Sequence, residues 1–507
     1  MGGDCTETDK FRRRNPVDRR ARGRYIDGMA LARERMIDRM LASDSTYNGR
    51  FLTGVLTTGI YCLPSCRARK PKPENVRFFD NPESALQAGL RPCKRCRPDD
   101  FYRRHDPDQE IVEGLVERMR RDPAAFTGVE ELERLSGLGS SKLHELFRLH
   151  FHTTPAQVLA RARVEAAQRL LLATDRSVAD VAFEVGYEGL STFNENFRRL
   201  AAMSPVEYRR LLGASTFRID LPPSYSRGPS LEYLGRDAAS LTIRVQGRSL
   251  ATGVRLGGGA PAVLRAEIGD GAVQASIEST GPLPADAAAR AHGHLLRLLG
   301  LHRDPGPFER RVAASPRLAP LIEGRQGLRI PQVPDAFDAL AWVIVGQQIT
   351  LSFAFTLRER LVRLTGAPAG GGLYAPPTAE AVANLEVEAL TAGQFSRRKA
   401  EYLIGAARLA AAGDLALDRL AAGSAVHMES ELLAVRGLGP WSAHYLMMRC
   451  FGFEDCLPVG DAGLVKGLQR FFDLPARPDA NETRELMQPF APYRSWATFH
   501  LWQTLKD

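Results

Sequence analysis

Three features of the 507-residue chain predict a multidomain α+β fold: four cysteines in two close pairs near the start, two helical stretches each broken by a glycine turn, and alternating apolar and polar residues ahead of a long helical region. In chain order they give a small zinc-binding α/β module, an all-α domain of two helix-turn-helix units, a small β-rich domain and a mostly α-helical domain containing a helix-hairpin-helix. The length suits two to four domains, and an apolar content of 44% supplies several cores. A formal charge of +9 favours a nucleic-acid partner without establishing one. No apolar run reaches the roughly 18 residues that span a bilayer. The Arg-rich start has no hydrophobic signal core, so a cytoplasmic protein without membrane contact is expected.

Residues 1–28 are polar and Arg-rich and read as a disordered basic arm. The zinc module follows over residues 29–104. Cys62 and Cys66, then Cys93 and Cys96, form two pairs separated by 26 residues. Each pair can reach one tetrahedral ion from a tight turn, giving one Zn2+ with four sulfur ligands. Arg67, Arg69, Lys94, Arg95 and Arg97 stand beside those ligands, so the site is expected to face a polyanion, DNA. By spacing alone, such a site is more often a structural staple than a reactive centre. The other cysteines, Cys5, Cys450 and Cys456, suggest no disulfide framework.

The second domain is expected over residues 108–213. Val129 to Ser136, the turn Gly137-Leu138-Gly139 and Ser140 to Phe151 form one helix-turn-helix; Val178 to Val185, a turn at Gly186 and Leu190 to Arg199 form another. Ser140 and Ser191 read as N-caps of the second helix in each unit, and Pro155 to Leu172 as one linking helix. Lys142, His144 and Glu145 in the first unit, and Thr192, Asn194 and Glu195 in the second, are placed to read base edges, while Phe147, Phe193 and Phe197 belong in the core. The Pro- and Ser-rich stretch 213–235 reads as the end of this domain. Short strands such as Leu241 to Val245 and Ala272 to Ile277 mark a β domain over 215–290. The last domain, 291–507, is expected to be helical, interrupted by loops at Gly371-Gly372 and 376–377.

Thr57-Thr58-Gly59-Ile60-Tyr61-Cys62, Pro64-Ser65-Cys66-Arg67-Ala68-Arg69 and Arg91-Pro92-Cys93-Lys94-Arg95-Cys96 resemble the N-terminal domain of Ada, the bacterial methylation-response family. The resemblance implies that Cys62 is both zinc ligand and nucleophile, taking a methyl group irreversibly from a methylphosphotriester in DNA, with Thr58, Arg67 and Arg69 at the phosphate. Zinc keeps a thiol deprotonated, and four thiolates leave the site net negative, so the sulfur stays nucleophilic. Methylation removes one negative charge, and affinity for DNA should rise. Ala179 to Tyr187, Ser191 to Arg199 and Ser204-Pro205-Val206-Glu207-Tyr208-Arg209 resemble the AraC-type DNA-binding domain. That resemblance implies promoter binding and, for an activator, RNA polymerase as a partner.

Leu432 to Tyr445, with Gly437-Leu438-Gly439-Pro440-Trp441 at its centre, followed by Leu457-Pro458-Val459-Gly460-Asp461, resembles AlkA, the inducible 3-methyladenine DNA glycosylase of the helix-hairpin-helix superfamily. The resemblance implies that Gly437 and Gly439 bring backbone amides to a DNA phosphate, that the hairpin carbonyls hold a monovalent cation, and that Asp461 is catalytic. It also places Trp441, Tyr445 and Trp502 around the excised base, and stacked aromatics suit a cationic alkylated purine. Asp461 reads equally as a helix N-cap ahead of Leu464, and Glu454 and Asp455 as solvated loop charges. Bifunctional relatives carry lysine where Trp441 stands, so a monofunctional enzyme is implied. The four-cysteine iron–sulfur motif of some relatives is missing, as is the Pro-Cys-His-Arg motif of Ada's second methyl acceptor. In Ile344-Val345-Gly346-Gln347-Gln348-Ile349, Gln348 occupies the place of the leucine wedge that fills the gap left by a flipped base.

The expected protein is a monomeric adaptive-response factor acting on alkylated and promoter double-stranded DNA: methylphosphotriester sensor, transcription activator and alkylpurine glycosylase on one chain. Two alternatives stay open at this level. One is a regulator whose glycosylase-like half is inert; the other is a constitutive repair enzyme whose front half only docks it on DNA.

Overall fold

A four-stranded sheet organises the first of two units, residues 1–107, in the computed structural model. The structure describes residues 32–44, 47–103, 106–257 and 260–505, so the basic arm at 1–28 and Cys5 lie outside the described residues. Strands β1 (Leu52–Val55), β2 (Ile60–Cys62), β3 (Val76–Phe79) and β4 (Arg91–Pro92) lie in the order β3-β1-β2-β4. The first pairs antiparallel with β2 and β3, and β2 pairs parallel with β4. Tyr61 sits opposite Pro92, so Cys62 at the end of β2 and Cys93 just past β4 are carried to the same end of the sheet. Parallel pairing thus joins cysteine pairs that the sequence keeps apart. Beneath lies a small core of Leu52, Tyr61, Leu63, Phe79, Ala85 and Leu90. So few apolar side chains leave much of the module's folding energy to a metal.

The second unit, residues 108–507, begins with the paired helix-turn-helix units. The first consists of Val129–Ser136 and Ser140–Phe151, with Gly137 in the left-handed region between them. The second consists of Val178–Glu184 and Leu190–Ala201. The N-caps are Gly139 and Gly189, without side-chain cap bonds, so Ser140 and Ser191 are not caps: each helix starts one or two residues before the expected hydroxyl could serve. The linking helix, Pro155–Ala173, opens with a capping box between Thr154 and Gln157. Its two ends serve different cores. Leu159 and Ala162 pack with Val116, Phe126, Leu143 and Phe147 of the first unit. Val164, Ala167 and Leu171 pack with Phe193 and Phe197 of the second.

That second core does not stop at residue 213. Thr216–Asp220, inside the stretch read as the end of the domain, is strand β5, and Arg227–Leu234 is a helix. With β6 (Ile243–Gln246), β7 (Ser249–Arg255), β8 (Pro261–Ile268) and β9 (Ala272–Ser279) it forms an antiparallel sheet in the order β5-β9-β8-β7-β6. Phe217, Ile219, Leu264 and Val273 of this sheet share the core of the second helix-turn-helix unit. The Gly371-Gly372 loop is the turn of a hairpin, β10 (Ala367–Gly370) and β11 (Leu373–Ala375), lying over β7. Gly253 in β7 makes this approach possible, since a Cβ there would lie 2.1 Å from the Tyr374 carbonyl oxygen.

The remaining chain is helical around a third core that includes Leu340, Ile344, Leu403, Leu446, Leu464 and Trp496. Cys450 and Cys456 are buried thiols of this core. Among the described residues, no helix is long and apolar enough to cross a membrane.

Candidate functional sites

The four cysteines meet as the strand register requires. Their Sγ atoms all lie within 4.8 Å of one another, with Cys66 and Cys93 buried and Cys62 and Cys96 partly exposed. Sulfurs placed about 2.3 Å from a central zinc are about 3.8 Å apart on a tetrahedron, so the cluster fits this ion after small adjustment, and an all-sulfur donor set suits it. Packed this closely, the thiols govern one another's ionisation. Hydrogen bonds with Cys62 and Cys96 hold Cys66 low, while hydrogen bonds with Cys66 and Cys96 push Cys62 up. A divalent cation removes this competition for protons. Backbone amides distinguish the sulfurs: Leu63 N–H donates to Cys96 at 3.4 Å and Ala68 N–H to Cys66, whereas among the described residues none donates to Cys62. Thr58, in the β1–β2 turn, and Arg67 and Arg69, after Cys66, are exposed on the same module.

In the helix-turn-helix region, Phe147, Phe193 and Phe197 are buried, as expected. The second reading helix presents Thr192 and Glu195 to solvent, and Asn194 donates its amide to the Leu190 carbonyl at 2.8 Å. The first is more engaged. Lys142 pairs with Asp108 at 3.2 Å, His144 is half-buried, and the helix packs on Ala425–Ala434, the first helix of the hairpin motif.

The hairpin joins Ala425–Ala434 to Pro440–Arg449. Gly437, at φ 98, could not be another residue, because its Cβ would fall 2.4 Å from the Tyr402 ring. Gly439 caps the second helix with open space around it, leaving amides at a helix N-terminus accessible to an anion. Gln347, which the sequence reading did not single out, donates to the Gly437 carbonyl at 2.9 Å and to Ser442 Oγ at 3.1 Å. Lys399 Nζ donates to the Val345 and Gln347 carbonyls at 2.5 and 2.7 Å. Between these anchors Gln348 is exposed in the left-handed region at φ 56.

Asp461 is the N-cap of the helix Ala462–Phe471, its Oδ1 accepting from Leu464 N–H at 2.7 Å. Trp502 Nε1 donates to the same oxygen at 2.9 Å, and Trp441 Nε1 to Oδ2 at 3.0 Å. Both tryptophans therefore touch the carboxylate with their polar edges while their rings flank Tyr445, at centroid distances of 5.4 Å for Trp441 and 5.8 Å for Trp502. Burial raises the Tyr445 phenol, whose oxygen accepts from Trp342 Nε1 at 3.2 Å. Asp461, Trp441, Tyr445 and Trp502 thus form one cluster; Gln348, Gly437 and Gly439 lie at the hairpin beside it. Glu454 and Asp455 are not solvated loop charges. Asp455 pairs with Arg494 at 2.7 Å, and Glu454 stands 4.0 Å from Arg303, because the connection between the two helices is folded into the domain.

Three family models match in chain order: the metal binding domain of Ada over residues 35–99, a helix-turn-helix domain over 132–211, and the HhH-GPD superfamily of base excision DNA repair proteins over 341–492. A Mycobacterium tuberculosis protein described as a probable bifunctional transcriptional activator/DNA repair enzyme AlkA is 29% identical over 497 residues, covering 93% of this chain and 96% of its own. From Bacillus subtilis, the bifunctional transcriptional activator/DNA repair enzyme AdaA is 32% identical over 172 residues, 34% of this chain and 80% of its own. A DNA-3-methyladenine glycosylase of the same organism is 35% identical over 208 residues, 40% of this chain and 69% of its own. The chain belongs to the Ada/AlkA family of transcriptional activators and DNA repair enzymes. It carries an Ada-type zinc module, a helix-turn-helix region and a helix-hairpin-helix glycosylase domain in that order.

The Trp342, Gln347 and Lys399 contacts of this glycosylase domain were not found from the sequence. Gly346-Gln347-Gln348 was visible there, but nothing in it indicated which glutamine faces the hairpin.

Proposed function

We propose that the glycosylase domain is monofunctional and hydrolyses the N-glycosidic bond of alkylated purines such as 3-methyladenine, with Asp461 as its catalytic carboxylate. The observation that carries this reading is the three-donor clamp on Asp461 at the edge of the Trp441–Tyr445–Trp502 group. As the C1′–N bond breaks, its electron pair leaves with the base and positive charge grows on the sugar. An ionised carboxylate held in place opposes that charge without having to reorganise. Water then supplies oxygen to C1′ and gives up a proton, which the free lone pair of Asp461 Oδ2 accepts. The aromatic faces suit a base made cationic by alkylation. Trp441 offers no amine for a Schiff base, and Lys399 has its amine committed to two carbonyls. Gly437 and Gly439 would hold a DNA phosphate, hairpin carbonyls other than that of Gly437, which Gln347 occupies, would serve a monovalent cation, and Gln348 would enter the vacated stack.

In the front half, Cys62 attacks the methyl carbon of a methylphosphotriester: the S–CH3 bond forms, the O–CH3 bond breaks, and a phosphodiester anion leaves. Bound zinc keeps the four thiols deprotonated at neutral pH. Among the described residues no amide donates to Cys62, which leaves its sulfur richer in electron density than Cys66 or Cys96. Thr58, Arg67 and Arg69, exposed on the same module, would contact the phosphate. Transfer lowers the negative charge of the module and strengthens promoter binding, which Lys142, His144, Thr192 and Asn194 direct; RNA polymerase is the protein partner of the monomer.

Purified protein on methylated duplex DNA tests the enzymatic half. Wild type should release free 3-methyladenine and give no borohydride-trapped adduct, and Asp461→Asn should nearly abolish release while retaining DNA binding. A wild-type protein that binds damaged DNA and releases no base would make this half an inert DNA-binding module.

A further inference from the structure

Residues 450–460 connect the second hairpin helix to the helix that Asp461 caps, and they form neither helix nor strand. Their backbone amides must find partners elsewhere. Phe453 N–H donates to the Met447 carbonyl at 3.1 Å. The next three of these bonds use side chains from three different helices or their ends. Asp455 N–H donates to His152 Nδ1 at 3.0 Å, Cys456 N–H to Ser495 Oγ at 2.9 Å, and Leu457 N–H to His444 Nδ1 at 3.1 Å. Beyond that point the chain tightens on itself: the Leu457 carbonyl accepts from Val459 N–H at 2.8 Å and the Pro458 carbonyl from Asp461 N–H at 3.0 Å. The orientation of the Leu457 peptide therefore sets the turn that presents Asp461.

The two histidines act through the same atom. A backbone N–H can only donate, so Nδ1 of each ring must be the bare nitrogen and the proton must sit on Nε2. For His444 that proton faces Glu429 Oε1 at 3.1 Å, which fixes the tautomer from the first helix of the hairpin. His152 ends the first reading helix in the left-handed region at φ 53, its ring edge-on to Phe453 at 5.2 Å. Burial lowers His152 to about 4, which keeps the ring neutral and its lone pair available. Arg494 on the far side holds both carboxylate oxygens of Asp455, at 2.8 and 2.7 Å, so the residue pinned by His152 cannot swing away.

We propose that His152 and His444 are positioning residues for Asp461, each fixing one amide of the connection through a bare Nδ1, so that the glycosylase site is completed by a residue of the helix-turn-helix region. The proposal rests on Asp461 being the catalytic carboxylate. It makes the regulatory half a structural component of the repair enzyme.

Asparagine places its amide oxygen where Nδ1 stood, and glutamine places its amide nitrogen where Nε2 stood, so the two substitutions separate the two edges of each ring. Full-length His152→Asn, His152→Gln, His444→Asn, His444→Gln and Asp461→Asn are compared in single-turnover release of 3-methyladenine from methylated duplex, with affinity for an abasic-site duplex as the measure of intact fold. The asparagine variants should keep the wild-type rate within about twofold, and the glutamine variants should lose about ten- to a hundredfold, the scale of a reacting group misplaced by up to 1 Å, with abasic-duplex affinity unchanged. Glutamine variants at the wild-type rate, or asparagine and glutamine variants falling equally, overturn the positioning role while a slow Asp461→Asn keeps the site assignment. An Asp461→Asn variant at full rate overturns the assignment itself, and the proposal with it.

Discussion

Replacing Trp441 and Trp502 by phenylalanine separates two roles that the sequence could not distinguish. Each substitution keeps an aromatic face beside Tyr445 and removes one indole N–H from the Asp461 carboxylate, at 3.0 Å from Oδ2 and 2.9 Å from Oδ1. A hydrogen bond to a charged group contributes about 1.5–3 kcal/mol, and about 1.4 kcal/mol corresponds to tenfold in rate. If that bond serves to align the carboxylate with the developing sugar cation, each single variant should slow single-turnover release of 3-methyladenine by about one to two orders of magnitude. The double variant should fall by less than the product of the two losses, because both donors act on one carboxylate still held by Leu464 N–H. Affinity for an abasic-site duplex should not change, as no base is present to stack. Wild-type rates in both variants, combined with weaker binding of methylated duplex, would refute the alignment argument and return the tryptophans to a stacking role alone.

Three further outcomes are expected. Cys66→Ser, Cys93→Ser and Cys96→Ser should each lose zinc and unfold the module, since its apolar core is small and metal binding supplies folding energy, whereas Cys62→Ser should abolish methyl transfer and leave base release intact; zinc content, circular dichroism and the two activity assays check this. Gln348→Ala should weaken binding to an abasic-site duplex more than to intact duplex, because only the former offers a vacated stack, and equal losses would place Gln348 among the backbone contacts. Burial lowers His152 and His292 to about 4 and His500 to about 3, so these rings stay neutral in the fold while the unfolded chain takes up protons below about pH 6.5. Stability should therefore be fully present above that pH and fall as the pH drops towards 4, which urea melts at pH 7 and pH 5 will measure; equal midpoints would contradict it.

Features that depend on local chemistry were legible in the sequence. Two cysteine pairs need only a turn each to become ligands, and the first helix-turn-helix unit has the expected bounds at Val129–Ser136 and Ser140–Phe151. Asp461 was found both as candidate carboxylate and as N-cap, and it is that cap. What stayed hidden depends on partners far along the chain. Strand β5 was obscured because prolines and serines around it suggest a linker, while the alternation in Thr216–Asp220 gains meaning only when β9 pairs with it. The Gly371-Gly372 turn looked like a loop because the short strands beside it are stabilised by lying over β7, more than a hundred residues earlier. An aromatic residue announces a ring but not where its N–H points, so the link from Trp441 and Trp502 to Asp461 could not be anticipated.

The shared core at the linking helix gives the arrangement of the second unit its physical basis. Had residues 213–235 been a flexible tether, Val164, Ala167 and Leu171 would have faced only the second helix-turn-helix unit, and the sheet β5-β9-β8-β7-β6 would have needed its own cover. Instead one apolar cluster takes in that helix, Phe193, Phe197, Phe217, Ile219 and Leu295. His292, from the helix Ala287–Leu298, completes the joint by bonding the Ala201 carbonyl at 2.7 Å, at the end of the second reading helix. A surface of this kind cannot separate without exposing apolar area to water, which costs about 25 cal/mol per Å2. The second reading helix is thus held against the sheet of the β-rich domain, and the first against the hairpin. Promoter reading and base excision are consequently built on one rigid frame, so a substitution in either joint should be felt in both activities.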